Sequence, residues 1–230
     1  SQLTKIFENY VVNYSNVSTS VSLKEKFKFE KLYRKQTYLF PNSLNIKKIK
    51  NLKELKVKRT LPKKFIMFNG SYNYKPNKVA IDYIIKNLIP ELIKQNIFLV
   101  LTGNHKTNFH SKYVINLSFV TTGELKYLHR KSICVLVPIF EGYGTRIKIL
   151  EAMIWNNRII STKKGIEGIK FKKTGNIIIS NNKKKILKAI KAFEVKKKNS
   201  KIFEQDLKSI SMEKNCRKFY NFINKKLTFS

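Results

Sequence analysis

The chain is short of several residue types at once. Its 230 residues include two cysteines, eight glycines, five prolines and one tryptophan. Cys134 falls in an apolar strand-like run and Cys216 in a helical one, with no short metal-like spacing between them. Read as two buried, unpaired thiols, they fit a reducing cytoplasm. His105, His110 and His129 form no metal-ligand spacing, and His105, just past the strand-ending Gly103, is a loop residue near a possible cleft. No Asp-x-Asp pair occurs, which argues against a divalent metal anchored by the protein. The longest apolar runs fall far short of a membrane span. No secretory signal pattern is present, although the chain opens at Ser1 rather than methionine and so leaves a preceding segment unaccounted for.

Acid is scarce as well. Fourteen Asp and Glu face 48 Lys and Arg, a formal net charge of +34. Such an excess raises nucleic acid first. Arginine, the residue suited to bidentate phosphate and base contacts, numbers only six. The lysines are spread along the whole chain together with Asn and Ile, a compositional bias rather than one grooved patch, and no aromatic RNP run or zinc knuckle appears. Specific nucleic-acid binding is therefore not expected. The denser runs, Lys163-Lys164, Lys170 to Lys173, Lys183 to Lys185 and Lys196 to Lys198, read as solvated faces or as attraction to an anionic membrane surface.

What is present is an alternation of apolar strands with helical stretches. Phe65–Phe68, Phe98–Leu101, Tyr113–Leu117, Ile133–Val137 and Arg158–Ser161 read as strands, and the pattern predicts an α/β parallel sheet. Residues 22–33 read as an amphipathic helix with Leu23, Phe27 and Leu32 on its apolar side. Pro76 and Asn77 open a helix running towards Gln95, with Ala80, Ile84, Leu88 and Leu92 at core spacing and Pro90 expected to kink it. Gly123 to Lys131 reads as a short helix, and residues 181–195 and 199–227 as helices with lysine-rich outer faces. The stretch from Asn45 to Lys64 reads as a linker.

The densest information lies between Val137 and Gly168, VPIFEGYGTRIKILEAMIWNNRIISTKKGIEG. A buried strand ends at Pro138, a turn carries Gly142 and Gly144, a helix follows, and then a second apolar strand. Glycines before a helix N-terminus let backbone amides approach a phosphate, and a carboxylate further along can hold a ribose hydroxyl. These residues resemble the donor-binding domain of the group 1 glycosyltransferases, whose run Gly-x-Gly-Thr-Arg-x-Lys-x-x-Glu-Ala-Met is matched by GYGTRIKILEAM from Gly142 to Met153. RIIST to Thr162 and GIEG from Gly165 to Gly168 continue the likeness. FIMFNGSYNYKPNKVAIDYIIKNLIPELIKQ, from Phe65 to Gln95, and LVLTGNH, from Leu99 to His105, resemble the family's earlier blocks. Together the likeness covers roughly residues 35–225. The chain departs from the family at Asn156, Asn157 and Arg158, where Gly-x-Pro is usual, and Glu141 stands two residues too far from Glu151 for the usual glutamate pair. Asn156 can supply the left-handed cap that Gly otherwise gives.

The resemblance implies a GT-B architecture: a Rossmann-like parallel sheet over residues 61–230, preceded at 1–60 by the incomplete end of an acceptor domain and a linker. YVVNYSNVSTSVSLKEKFKFEKLY, then QTYLFPN, would be a strand, a Ser-bearing turn, a helix and a final strand. Phe219, Tyr220 and Phe222 on the last helix would contact that segment. It implies sugar transfer from a nucleotide-sugar, retaining and metal-independent with no further cofactor, to a glycan or lipid-linked acceptor in cell-envelope polysaccharide synthesis, in the cytoplasm or on the inner face of the membrane. Lys148 and Arg146 would neutralise the donor diphosphate as catalytic groups, with Glu141 a weaker candidate for sugar contact. Glu151 would hold the ribose, and Gly142, Tyr143, Gly144, Thr145, Gly70, Ser71 and Thr162 would line the nucleotide-sugar site, with Glu167 and Gly168 at its edge. Three alternatives stay open: a non-catalytic remnant, one subunit of a split enzyme with the acceptor half on another chain, and a basic nucleic-acid-binding protein.

Overall fold

The computed structural model describes residues 2–104, 111–142, 144–172, 175–195 and 203–227. Helix α1 (Gln2–Tyr14) leads into a two-stranded parallel sheet, β1 (Thr19–Ser20) and β2 (Tyr38–Leu39), joined by helix α2 (Leu23–Tyr33). The short helix α3 (Ile46–Asn51) leads to the main body. There β3 (Phe65–Asn69), α4 (Lys75–Tyr83), a π-helical turn (Ile84–Leu88), α5 (Ile89–Ile93), β4 (Phe98–Thr102), β5 (Val114–Asn116), α6 (Thr122–Lys131), β6 (Val135–Val137), α7 (Ile147–Ile154), β7 (Ile159–Ser161), β8 (Ile177–Ile179) and α8 (Lys183–Val195) follow in order. A 3-10 turn (Asp206–Ile210) and α9 (Met212–Leu227) complete the described chain.

The six strands form one parallel sheet in the order β5-β4-β3-β6-β7-β8. Strand order reverses direction between β3 and β6, registered through Met67 and Val135, and open α/β sheets hold ligands outside the strand ends at such a switch. Helices cover both faces, so the central strands are apolar on both sides: Ile66, Met67, Phe68, Leu99, Val100, Val135 and Leu136 are fully buried. Helix α6 starts at a reciprocal capping box, Thr121 with Glu124.

Several expectations are corrected. The stretch YVVNY is the end of α1 rather than a strand, and the strand lies later, at Thr19–Ser20. Leu23, Phe27 and Leu32 do not face a core. They are exposed, Phe27 to 64%, because the described chain places nothing over that side of α2. Cys216 is exposed on α9, so only Cys134 is a buried thiol. The C-terminal stretch is a 3-10 turn followed by a helix. Strand β8 went unread because Ile177–Ile179 is too short to carry a period. The effect of Pro90 is taken up just before it: the π turn Ile84–Leu88 widens the helix by one residue where the ring removes a backbone donor.

The Asn156–Arg158 turn closes as the cap reading requires. Asn156 has φ +52°, and the Asn157 amide donates to the Ala152 carbonyl at 2.8 Å. Arg158, in the usual proline position, is buried; its guanidinium donates to the Phe193 carbonyl and lies 5.2 Å from that ring's centroid, fastening α8 to the sheet. Burial pulls its pKa below the ordinary guanidinium value. Phe219 and Phe222 pack on Tyr38 at 5.1 and 4.5 Å, and Phe219 also on Phe40, while Tyr220 is exposed.

Candidate functional site

Helix α7 is buried at Ile149, Leu150, Ala152, Met153 and Ile154. Lys148 and Glu151, three residues apart, share one stripe and meet the end of β3. Lys148 Nζ donates to Asn77 Oδ1 at 2.8 Å and lies 4.1 Å from the centre of the Phe68 ring. Glu151 Oε2 accepts from Asn69 Nδ2 at 3.2 Å, and Asn69 Oδ1 in turn accepts from Thr102 Oγ1 at 3.0 Å. The carboxylate is thus oriented by a chain crossing β3 and β4.

Burial dominates the electrostatics of this pair. It pulls the Lys148 ammonium down to about 7, with the neighbouring Arg146 charge adding to the fall and Glu151 opposing it. Burial likewise pushes the Glu151 carboxyl up to about 7, against the Asn69 hydrogen bond and the Lys148 charge. Both groups are desolvated beyond what their neighbours offset, which marks the pair as a candidate functional site.

Gly70 makes the arrangement possible. Its φ is +148°, and a Cβ there would stand 2.7 Å from both Lys148 Nζ and Asn77 Nδ2. The ammonium occupies the room that a side chain would take. Ser71 Oγ donates to the Asn104 carbonyl at 3.2 Å, and the Ser71 carbonyl accepts from Asn77 Nδ2 at 2.9 Å, so the β3 turn is tied to α4 and to the end of β4. Gly142 and Gly144 have φ of +94° and +80°, and a Cβ on Gly144 would meet no described atom within 4 Å. Among the described residues nothing covers the turn between β6 and α7 on that side. Arg146 is buried and folded back across this turn, donating to the Gly144 carbonyl at 2.8 Å and the Glu141 carbonyl at 3.2 Å.

The structure therefore brings Gly70, Ser71, Lys148 and Glu151 together, with Gly142, Gly144 and Arg146 forming the turn beside them. Tyr143 and His105 lie outside the described residues. Glu141 is partly exposed and stands 3.9 Å from Lys75, with its Oε1 buried and accepting no hydrogen bond among the described residues. Thr162 is fully buried, its hydroxyl donating to the Ile139 carbonyl and accepting from the Gly165 amide at 2.9 Å. It closes the loops after β6 and β7 and does not reach the cleft. Thr145 turns towards Gly168, whose Cβ position is 3.3 Å from its Oγ1, and away from the Lys148–Glu151 pair. Glu167 pairs with Lys24 at 2.9 Å and Lys164 at 2.5 Å. Asn69, Asn77 and Thr102 are the residues that sequence reasoning missed. Asn77 follows a helix-opening proline, and Asn69 and Thr102 end apolar strands, which was the available signal. Among the described residues no group of three His, Cys, Asp or Glu is placed to hold a metal ion.

The sequence profile of the glycosyl transferases group 1 family matches residues 63–193. No curated protein matches in sequence. Solved structures share the fold: sucrose-phosphate synthase of Thermosynechococcus elongatus, at TM-score 0.73 and 13% identity, aligns with 100% of this chain and 63% of its own. TarM of S. aureus gives 0.71 and 14%, over 96% of this chain and 46% of its own. HepE of Anabaena, solved with UDP and glucose, gives 0.68 and 12%, over 97% and 67%. The chain spans between 46% and 67% of the length of these structures. With its parallel sheet, its switch in strand order and a profile match over more than half its length, the chain belongs to the group 1 glycosyltransferases and has their GT-B fold.

Proposed function

We propose that this chain binds a nucleotide-sugar and acts in transfer of the sugar to a glycan or lipid-linked acceptor. The observation that carries the reading is the Lys148–Glu151 pair, two desolvated opposite charges held under a glycine turn at the switch point of the sheet. Glu151 would accept the ribose hydroxyls, and the diphosphate would lie between Lys148 and the amides of Gly144 and its neighbours at the start of α7. As the bond from the anomeric carbon to the phosphate oxygen breaks, its electron pair goes to that oxygen, and Lys148 stabilises the charge. Arg146 shapes the turn and adds positive potential to it. The acceptor oxygen forms the new bond to carbon and passes its proton to the departing phosphate oxygen. The reaction needs no protein-held metal in this reading, retains anomeric configuration, and belongs to cell-envelope polysaccharide synthesis beside the membrane.

Calorimetric titration with UDP, GDP and ADP, beside Glu151→Ala, tests it. Selective binding of one nucleotide, lost in the variant, supports a working donor site. Equal binding of all three by both chains leaves charge attraction alone and refutes the reading.

One observation favours a second reading, in which the donor site works with an acceptor half on another chain. Leu3, Ile6, Phe7, Tyr10, Val11 and Tyr14 form one exposed apolar stripe along α1, whose Phe7 and Val11 border a hollow with Phe29 and Tyr33 of α2, beside a sheet of two short strands. Such a surface is built to be covered. Transfer activity that arises only on adding a separate acceptor-domain chain would support this version, and full activity of the chain alone would end it.

A further inference from the structure

A cavity of about 770 Å³ lies on the other side of the glycine turn, between the β1–β2 segment, the loop after β7 and the start of α9. Its size suits a small-molecule ligand. Lys24, Lys170, Lys208, Lys214 and Lys218 line it, and Glu167 is the one acid among its described lining residues. Glu167 is already neutralised by Lys24 and Lys164. Lys170, Lys208, Lys214 and Lys218 make no ion pair among the described residues, so four like charges from three separate segments converge on one concavity. The N-terminal turns of α2 and α9 reach the same cavity and add positive partial charge. A further observation marks the wall. Thr145 is only 9% exposed, and its hydroxyl is buried with no hydrogen-bond partner. The floor is apolar, with Leu39, Phe40, Leu150 and Ile210.

We propose that this cavity is a second ligand site, separate from the Lys148–Glu151 cleft, for a phosphate-bearing molecule whose remaining part rests on the apolar floor. Repulsion among the lysines is relieved when an anion enters, and low-dielectric walls strengthen that attraction over a flat basic surface. Thr145 belongs to the same turn as Gly144 and Arg146, so an occupant of the cavity sits one turn away from the donor cleft.

The chain carries +34, so the test must separate the cavity from general charge. Pyrophosphate binding is measured by calorimetry, in excess UDP, on three proteins of the full chain. These are the unaltered chain, the cavity variant Lys208→Gln/Lys214→Gln/Lys218→Gln, and a control that removes equal charge from α8, Lys184→Gln/Lys188→Gln/Lys191→Gln. All six lysines are exposed, so folding is retained. The cavity variant is expected to lose about tenfold or more in affinity, while the control loses less than about twofold. A parallel arm replaces pyrophosphate with phosphatidylglycerol vesicles. The same selective loss there identifies a lipid headgroup as the source of the phosphate, and selective loss with pyrophosphate alone identifies a soluble ligand. Equal losses in the two variants overturn the proposal. UDP affinity, measured separately, stays within about twofold in the cavity variant, so failure of the donor reading and failure of this one are told apart.

Discussion

In the proposed donor site the buried pair should make nucleotide affinity depend on pH, in a direction that can be worked out. A diphosphate needs Lys148 charged, and that ammonium titrates at about 7 in the unliganded chain. Raising the pH from about 7 to about 8.5 lowers its charged fraction from about one half to about 3%, roughly a sixteenfold loss of the competent form. Glu151, also near 7, becomes fully ionised over the same range and returns about a factor of two for ribose binding. UDP affinity is therefore expected to fall about eightfold, and binding at the higher pH to take up close to one proton per site, because the bound phosphates restore the lysine charge. Calorimetry in two buffers of different ionisation enthalpy reads both quantities. Lys148→Arg, charged throughout the range, should flatten the profile even if its fit is worse. An unaltered chain whose UDP affinity is constant between these pH values, with no proton uptake, refutes the assignment of Lys148 to the diphosphate.

Further outcomes follow from single residues. Gly70→Ala puts a methyl 2.7 Å from Lys148 Nζ at a φ that side chains rarely adopt, and should lower UDP affinity at least about tenfold, with a lower melting temperature. Glu151→Gln should abolish nucleoside preference while making the chain more stable by on the order of 3 kcal/mol near pH 8, since a raised carboxyl pKa withdraws stability as pH climbs from 4.5 through about 7; thermal unfolding at about pH 4.5 should show almost no difference. Arg158→Leu leaves the Phe193 carbonyl without its donor and should cost about 2 kcal/mol in a denaturant titration, with nucleotide binding unchanged.

The main sheet was legible because its strands are buried on both faces, and runs such as Phe65–Phe68 and Phe98–Leu101 have no other use for so much apolar surface. That Gly70, Lys148 and Glu151 would lie together was legible because a glycine turn at a strand end and the start of the helix beyond the switch have few ways to meet. Asn69, Asn77 and Thr102 were not, since an amide or hydroxyl at a strand end reveals its role only when a second element supplies the partner. Thr162 looked like a cleft residue by position, and its hydroxyl was instead taken by backbone groups of its own loops. The N-terminal segment misled for a different reason. YVVNY carries β-branched residues that suit a strand, yet spacing of three and four from Leu3 to Tyr14 makes a helix with one apolar side, and local preference gave way to that longer period.

That apolar side of α1 sets the colloidal behaviour of the isolated chain. At low salt a net charge of +34 holds copies apart over a screening length of about 30 Å near 0.01 M, and the sticky stripe stays out of reach of its equal on another molecule. Near 0.15 M that length shrinks to about 8 Å, and contact between the stripes costs far less repulsion. The chain on its own is thus expected to be monodisperse in dilute buffer and to self-associate as salt is added, the reverse of a protein held together by charge. Light scattering against ionic strength reads the trend directly, and a cognate polypeptide that covers α1 would remove it.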